Sequence, residues 1–278
     1  MLSGKKAERV GEEKGNKDVE MKDNFIIGNI KVINNNLEYK IISSYENEKK
    51  RNYFLFGKNN EEEIKDCDIY INDKKIDFSY YYKFPNEGNY TIKYVFKNLL
   101  NITNFMFYQC NSLISLDLSN FNTQNLTDMN YMFYNCESLI TLNLSNHNSP
   151  NLNTMNYIFS NCISLISLDL SNFNAQNLTN IDCMLYNCNS LLSLNLSNFN
   201  TQNIIDMKCI FSNCKSLISL DLSNFNTQNV INMESMFYNC NSLISLDLSN
   251  FNTQKLKYSN YMLNGCNSLI LKNENIIS

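Results

Sequence analysis

Seven cysteines stand at positions 110, 136, 162, 188, 214, 240 and 266, and every interval between them is 26 residues. The stretch from Cys110 to Asn135, CNSLISLDLSNFNTQNLTDMNYMFYN, returns five times with few changes. A fixed interval of this length marks a repeat array, in which each unit buries its apolar side by stacking on its neighbours. Within 278 residues such an array leaves room for one further small domain.

Inside a unit, Leu113, Leu116 and Leu118 read as the inward side of a short strand, with Ser115, Asp117 and Ser119 outward. Asn120, Phe121 and Asn122 turn the chain, and Leu126 begins the return. Met129, Met132 and Phe133 lie three to four residues apart, which predicts a helical turn capped by Thr127 or Asp128. The expected fold class is therefore an α/β solenoid of 26-residue coils, strands on the concave side. Asn120, Asn122 and their equivalents are expected to satisfy interior backbone groups and to bond along the stack.

Residues 1–22 mix Gly, Lys and Glu without periodicity and read as a disordered tail. Short runs rich in Ile, Tyr, Phe and Val fill 23–97, including NYFLFG and a tight hairpin over Tyr70–Ile76. They predict a small antiparallel β domain that caps the array, with the strand Tyr90–Phe96 covering the first coil, or that serves as a separate binding module. The solenoid occupies 98–271 and a short tail 272–278.

Charge is uneven: residues 1–103 hold 18 Lys/Arg and 17 Asp/Glu, whereas 104–278 hold 5 and 10, giving +1 against −5. Neither value suits a binder of phosphate backbones, so no nucleic acid is expected. The 26-residue register sets equivalent cysteines side by side, about 4.8 Å apart, and predicts a ladder of reduced, buried thiols. A disulfide between neighbours is sterically permitted. The N-terminus lacks the apolar core of a signal peptide and no run reaches transmembrane length, which makes a cytoplasmic location the default.

The pattern LxxLxLSNFNTQNLTxMxxMFxxC, as at 113–136, resembles the BspA-like class of leucine-rich repeat, and the related repeats of mycoplasma-type surface lipoproteins. The resemblance covers about 99–271. It implies a leucine-rich repeat solenoid at the cell surface, linked to adhesion and to binding of host or matrix proteins.

Together these readings predict non-enzymatic protein–protein recognition through a leucine-rich repeat surface, adhesin-like, with a scaffold subunit of a larger assembly as the alternative. The candidate partner-binding strip is concave: Ser115, Asp117, Ser119, Ser167, Asp169, Ser171, Ser219, Asp221, Ser223, Ser245, Asp247 and Ser249. A second candidate is the C-terminal end, where Leu246, Leu248, Phe251, Leu256 and Met262 would be poorly shielded and available for homo-association or docking. No cofactor or metal is expected. The only histidine, His147, replaces a packed Phe, and no Gly-rich phosphate loop or carboxylate pair with separated environments occurs. Cys183 and Cys209 lie outside the ladder, one coil apart in the column of Tyr131, Tyr157, Ser235 and Tyr261. They could oxidise together, but with no cation in register neither is expected to be nucleophilic.

Overall fold

The computed structural model describes residues 24–52, 57–145 and 147–271. The tails expected at 1–22 and 272–278, and most of the run NYFLFG, lie outside them. The N-terminal elements are β1 (Phe25–Val32), β2 (Tyr39–Lys40), α1 (Tyr45–Lys49), α2 (Glu61–Lys65), β3 (Cys67–Ile71), β4 (Lys74–Ile76), β5 (Tyr81–Tyr82) and β6 (Gly88–Phe96). Strands of the repeats follow: β7 (Leu113–Asp117), β8 (Thr141–Asn143), β9 (Ser167–Asp169), β10 (Ser193–Asn195), β11 (Ser245–Leu246) and β12 (Ile270–Leu271).

A six-stranded sheet of order β4-β3-β6-β1-β7-β8 joins the two regions. The hairpin β3–β4 turns at Asn72 and Asp73, whose φ of 46° and 65° match a two-residue type I′ turn that short polar side chains tolerate. It is β1, not the expected β6, that pairs with the first repeat strand, Ile27 with Asp117, Gly28 with Leu116 and Asn29 with Ser115, antiparallel, while Phe96 of β6 packs on Phe121 with ring centroids 5.3 Å apart. β6 lies one strand further in, between β3 and β1. Glycine at 28 eases this close pairing, because a Cβ there would sit 3.1 Å from both Leu113 Cδ1 and Leu116 Cδ2, and those side chains would have to give by a few tenths of an ångström.

Each repeat lays its return segment directly on the next. Thr103, Phe105, Phe107 and Gln109 donate their backbone N–H to the carbonyls of Asp128, Asn130, Met132 and Tyr134, each 25 residues later. Met129, Tyr131, Phe133 and Asn135 do the same to Thr154, Asn156, Ile158 and Ser160. The intervening N–H groups turn back three residues, as Met132 to Met129, Tyr134 to Tyr131 and Cys136 to Phe133. Half of the donors thus bond locally and half bond to the neighbour. The chain reaches this alternation by placing two residues per unit in the left-handed region, such as Tyr131 (φ 57°) and Asn135 (φ 58°).

That geometry corrects the expected α/β leucine-rich repeat solenoid. Among the described residues the only helices are α1 and α2, both before the repeats. An α-helix would satisfy every interior N–H within itself and leave none for the neighbouring unit. Met129, Met132 and Phe133 are buried as anticipated, but on consecutive tight turns and not on a helix. Nor do the repeat strands form one curved sheet: β7 and β8 belong to the N-terminal sheet, while β9 pairs with β10 and β11 with β12 separately. The cysteine ladder is corrected too. The thiols of Cys136, Cys162, Cys188, Cys214 and Cys240 are buried singly, each hydrogen-bonded to a backbone carbonyl 29 residues earlier at 3.0–3.3 Å. All ten cysteines are free.

The core is a stack of like residues. Phe107, Phe133 and Phe159 lie face to face with centroids 5.8 and 5.6 Å apart, and Tyr131 and Tyr157 stack at 4.9 Å. His147 interrupts the outer phenylalanine column, stacked on Phe173 at 5.2 Å with both ring nitrogens buried and unbonded. Burial alone pushes its pKa down to about 3. The folded state therefore holds it neutral, whereas the unfolded chain takes up a proton below about pH 6.5. His147→Phe should raise the melting temperature, and the gain should widen as pH falls from 7 to 5, reaching about 2 kcal/mol at pH 5. Thermal melts at the two pH values test this; a gain that stays constant with pH would refute the buried neutral imidazole.

Candidate functional site

The residues expected to form a concave strip recur at equivalent positions of the units, and one oxygen of each carboxylate is taken up by a local turn. Asp117, Asp169, Asp221 and Asp247 each accept through Oδ1 the backbone N–H of the serine two residues on, at 2.8–2.9 Å. Asn143 and Asn195 make the same turn with Ser145 and Ser197. These Asx turns end the strand and start the loop, so Ser119, Ser171, Ser223 and Ser249 serve the turn through their backbone. The hydroxyl column Ser115, Thr141, Ser167, Ser193, Ser219 and Ser245 faces outward, exposed except for half-buried Ser115. A shallow cavity of about 190 Å³ opens where Asp221, Ser223, Asp247 and Ser249 meet. At the C-terminal end, Leu246, Leu248, Phe251 and Met262 are buried and Leu256 is half-buried, with Leu246 held beside Leu271 by the β11–β12 pair.

Asparagine does its work at several columns at once. Asn122, Asn200, Asn226 and Asn252 cap their own turns. Asn104, Asn130 and Asn156 each accept a backbone N–H from the unit that follows. The Asn120 column also reaches across: Asn250 Nδ2 donates to the carbonyls of Leu222, Ser223 and Phe225.

One column went unread in the sequence. Ile140, Ile166, Leu192, Ile218, Ile244 and Ile270 recur every 26 residues, and their exposures run 38, 45, 54, 49, 49 and 70%. They fill the position after the first leucine of each unit, and in all but the last lie between that buried leucine and an outward hydroxyl, as in Leu165-Ile166-Ser167. The signal was present: a position where only Ile or Leu occurs, yet which falls outside the inward Leu-x-x-Leu-x-Leu set. Isolated exposed aliphatics are ordinary, but six in one row make roughly 500 Å² of continuous apolar surface, at the upper end of what a monomer leaves in water.

A different edge carries the tyrosines. Phe105, Tyr131 and Tyr157 stack at 4.9 Å, and Tyr108 stacks on Tyr134 at 5.1 Å. The first column then changes to Cys183, Cys209 and Ser235 before Tyr261 resumes it. Loss of three successive rings opens a cavity of about 310 Å³ walled by Tyr186, Tyr238 and Tyr261. Among the described residues no three His, Cys, Asp or Glu side chains are grouped to hold a metal ion, and no helix is long and apolar enough to cross a membrane.

The Asx turns carry a pH signature. Bonds from Ser171 to Asp169 and from Ser223 to Asp221 hold both carboxyls below the usual aspartate range. Their stabilising contribution is present above the unfolded pKa of about 3.9 and is lost as pH falls through the lower folded values. Asp169→Asn with Asp221→Asn should leave the melting temperature at pH 7 nearly unchanged, since Asn143 and Asn195 already make this turn. The same variant should lose less stability than the parent between pH 5 and pH 3. Melts showing a large loss at pH 7 would mean the charge, not the turn, is what these positions supply.

Residues 101–217 and 189–276 each match the model of the family described as Mycoplasma protein of unknown function, DUF285. No curated protein and no solved structure matches the chain. The match replaces the BspA-like leucine-rich repeat class that the pattern LxxLxLSNFNTQNLTxMxxMFxxC resembles. With it goes the proposed recognition by a leucine-rich repeat surface, since the structure has no such surface. The two matched stretches overlap and together span 101–276, more than half of the 278 residues, and the chain belongs to this family.

Proposed function

We propose that this protein is a non-catalytic binding protein that recognises a second copy of itself along the exposed aliphatic column. The observation that carries the reading is the row Ile140, Ile166, Leu192, Ile218 and Ile244, left in water beside a row of hydroxyls. Its step is the spacing of adjacent parallel strands, about 4.8 Å. An extended peptide presents side chains on one face every two residues, roughly 6.6 Å apart, and would fall out of step within two contacts. A second stack of the same kind has the same step, so its isoleucines interleave with these along the full length, as like side chains do between paired sheets.

Area supports the same partner. Two such columns face to face would bury about 1,000 Å² of aliphatic surface, and the adjoining hydroxyl rows would bring the contact to the low end of specific interfaces. The immediate flank is Ser and Thr, and the aspartates beyond it are bonded to their own turns. Few charges would therefore need desolvation on association.

Sedimentation velocity over a concentration series tests the proposal. The parent protein should form dimers, and Ile166→Ser with Ile218→Ser should weaken association at least tenfold. Both positions are exposed, so the variant should melt with the parent. A parent that remains monomeric at its highest soluble concentration would sink self-recognition. Dimers untouched by the double substitution would place the contact on another face.

A further inference from the structure

The edge opposite in character to the aliphatic row holds two cysteines that the repeat register does not require. Cys183 and Cys209 stand one unit apart, both in the left-handed region with φ of 53°. Each donates its backbone N–H to the following unit, Cys183 to Lys208 at 2.8 Å and Cys209 to Glu234 at 2.9 Å. Identical backbone geometry in adjacent units sets their Cα atoms about 4.8 Å apart, inside the span of about 4.4–6.8 Å that a disulfide bridges. Each thiol is the largest single influence on the protonation of the other. Cys183 is buried, and its Sγ lies 3.2 Å from Asp182 Oδ1. Cys209 is half-buried and lines the 310 Å³ cavity left by the missing rings, which gives a small molecule access to it.

We propose that Cys183 and Cys209 form a thiol-exchange site that reacts with low-molecular-weight disulfides and closes to an intramolecular disulfide. Cys209 is the attacking sulfur, being the one open to the cavity. Its thiolate attacks one sulfur of R–S–S–R, forming Cys209–S–S–R and releasing R–S⁻, which takes up a proton. Cys183 then gives its proton to the Asp182 carboxylate and attacks the Cys209 sulfur, and the second R–S⁻ leaves and is protonated. The balance is one dithiol and one disulfide going to one protein disulfide and two thiols; the protein is oxidised and R–S–S–R reduced.

The electrostatics agree with this order. The neighbouring Cys183 thiol holds the Cys209 thiol below its ordinary value, against half-burial, with the Lys208 ammonium assisting. Contact with Cys209 and burial push the Cys183 thiol up. A lowered, accessible thiol beside a resolving partner is the arrangement that exchange requires. The sequence pointed away from it by offering no cation in register, whereas the larger influence on Cys209 is the partner thiol; Lys208 is itself paired with Glu234 at 3.3 Å. The buried Cys136, Cys162, Cys188 and Cys214 are pushed up by desolvation and serve as the unreactive internal reference.

The test is incubation of the intact reduced protein with oxidised glutathione, followed by mass spectrometry of the alkylated digest. The parent should lose two thiols, gain no glutathione, and yield a peptide linking Cys183 to Cys209, reversed by reductant. Cys183→Ser should retain glutathione on Cys209, and Cys209→Ser should leave Cys183 free. Both variants should fold, since Ser235 occupies the same position one unit later. Recovery of both thiols unmodified, or a link between Cys240 and Cys266 with Cys183 and Cys209 still reduced, would overturn the proposal.

Discussion

The backbone hydrogen bond from an N–H to the carbonyl 25 residues later governs the rest of this molecule. It recurs at alternate positions through every return segment, and the remaining N–H groups close three-residue turns. Such an alternation demands left-handed residues at fixed places, and these are paid for with Asn wherever the position allows. Asn135, Asn161, Asn187, Asn213 and Asn239 all hold φ near 60°. Asparagine enters that region more easily than other residues with a Cβ, because its side chain bonds locally. The Asn135 column thus follows from the way the units are joined.

Stacking like on like then decides the interior. Once the backbone holds units in register, every side chain meets its own equivalent. Phenylalanines lie parallel at 5.4–5.8 Å, and amides such as Asn187 and Asn161 bond at 2.7 Å. A departure is felt at once. His147 stacks on Phe173 as a ring should, yet buries two nitrogens without partners.

The register and the buried set were legible in the sequence: Leu113, Leu116, Leu118, Phe121, Leu126, Met129, Met132 and Phe133 are all inside. The helix was not, because a spacing of three to four residues suits consecutive turns as well as a helix. The discriminating evidence was the Asn that recurs two residues after Phe133 and its equivalents in the next four units. A helix interior gives no reason for it, whereas a left-handed turn does. The outward aspartates were placed correctly in sequence order but read as free charge. That Asn143 and Asn195 alternate with them indicates a turn-forming role that either residue fills. The aliphatic row was overlooked because alternation assigns each strand position to one of two faces. Ile166 belongs to neither, lying at the edge between a buried leucine and an exposed serine.

Near-identity of the units also sets a kinetic problem that the antiparallel pairing of β1 with β7 addresses. A chain whose segments resemble one another at 26-residue intervals can pair one segment with the wrong neighbour and lose almost nothing in local energy. Such a slip would leave a loop of a whole unit and a compact trap that is slow to leave. The N-terminal sheet supplies a starting edge, because β1 pairs antiparallel with β7 of the first unit whereas the later units pair in parallel. From that edge each completed unit presents the donors for the next, so assembly can proceed as a zipper with a defined first tooth. The unit holding His147 and Pro150 departs from the common sequence, so a slip that set it in a regular unit's place would not be neutral in energy.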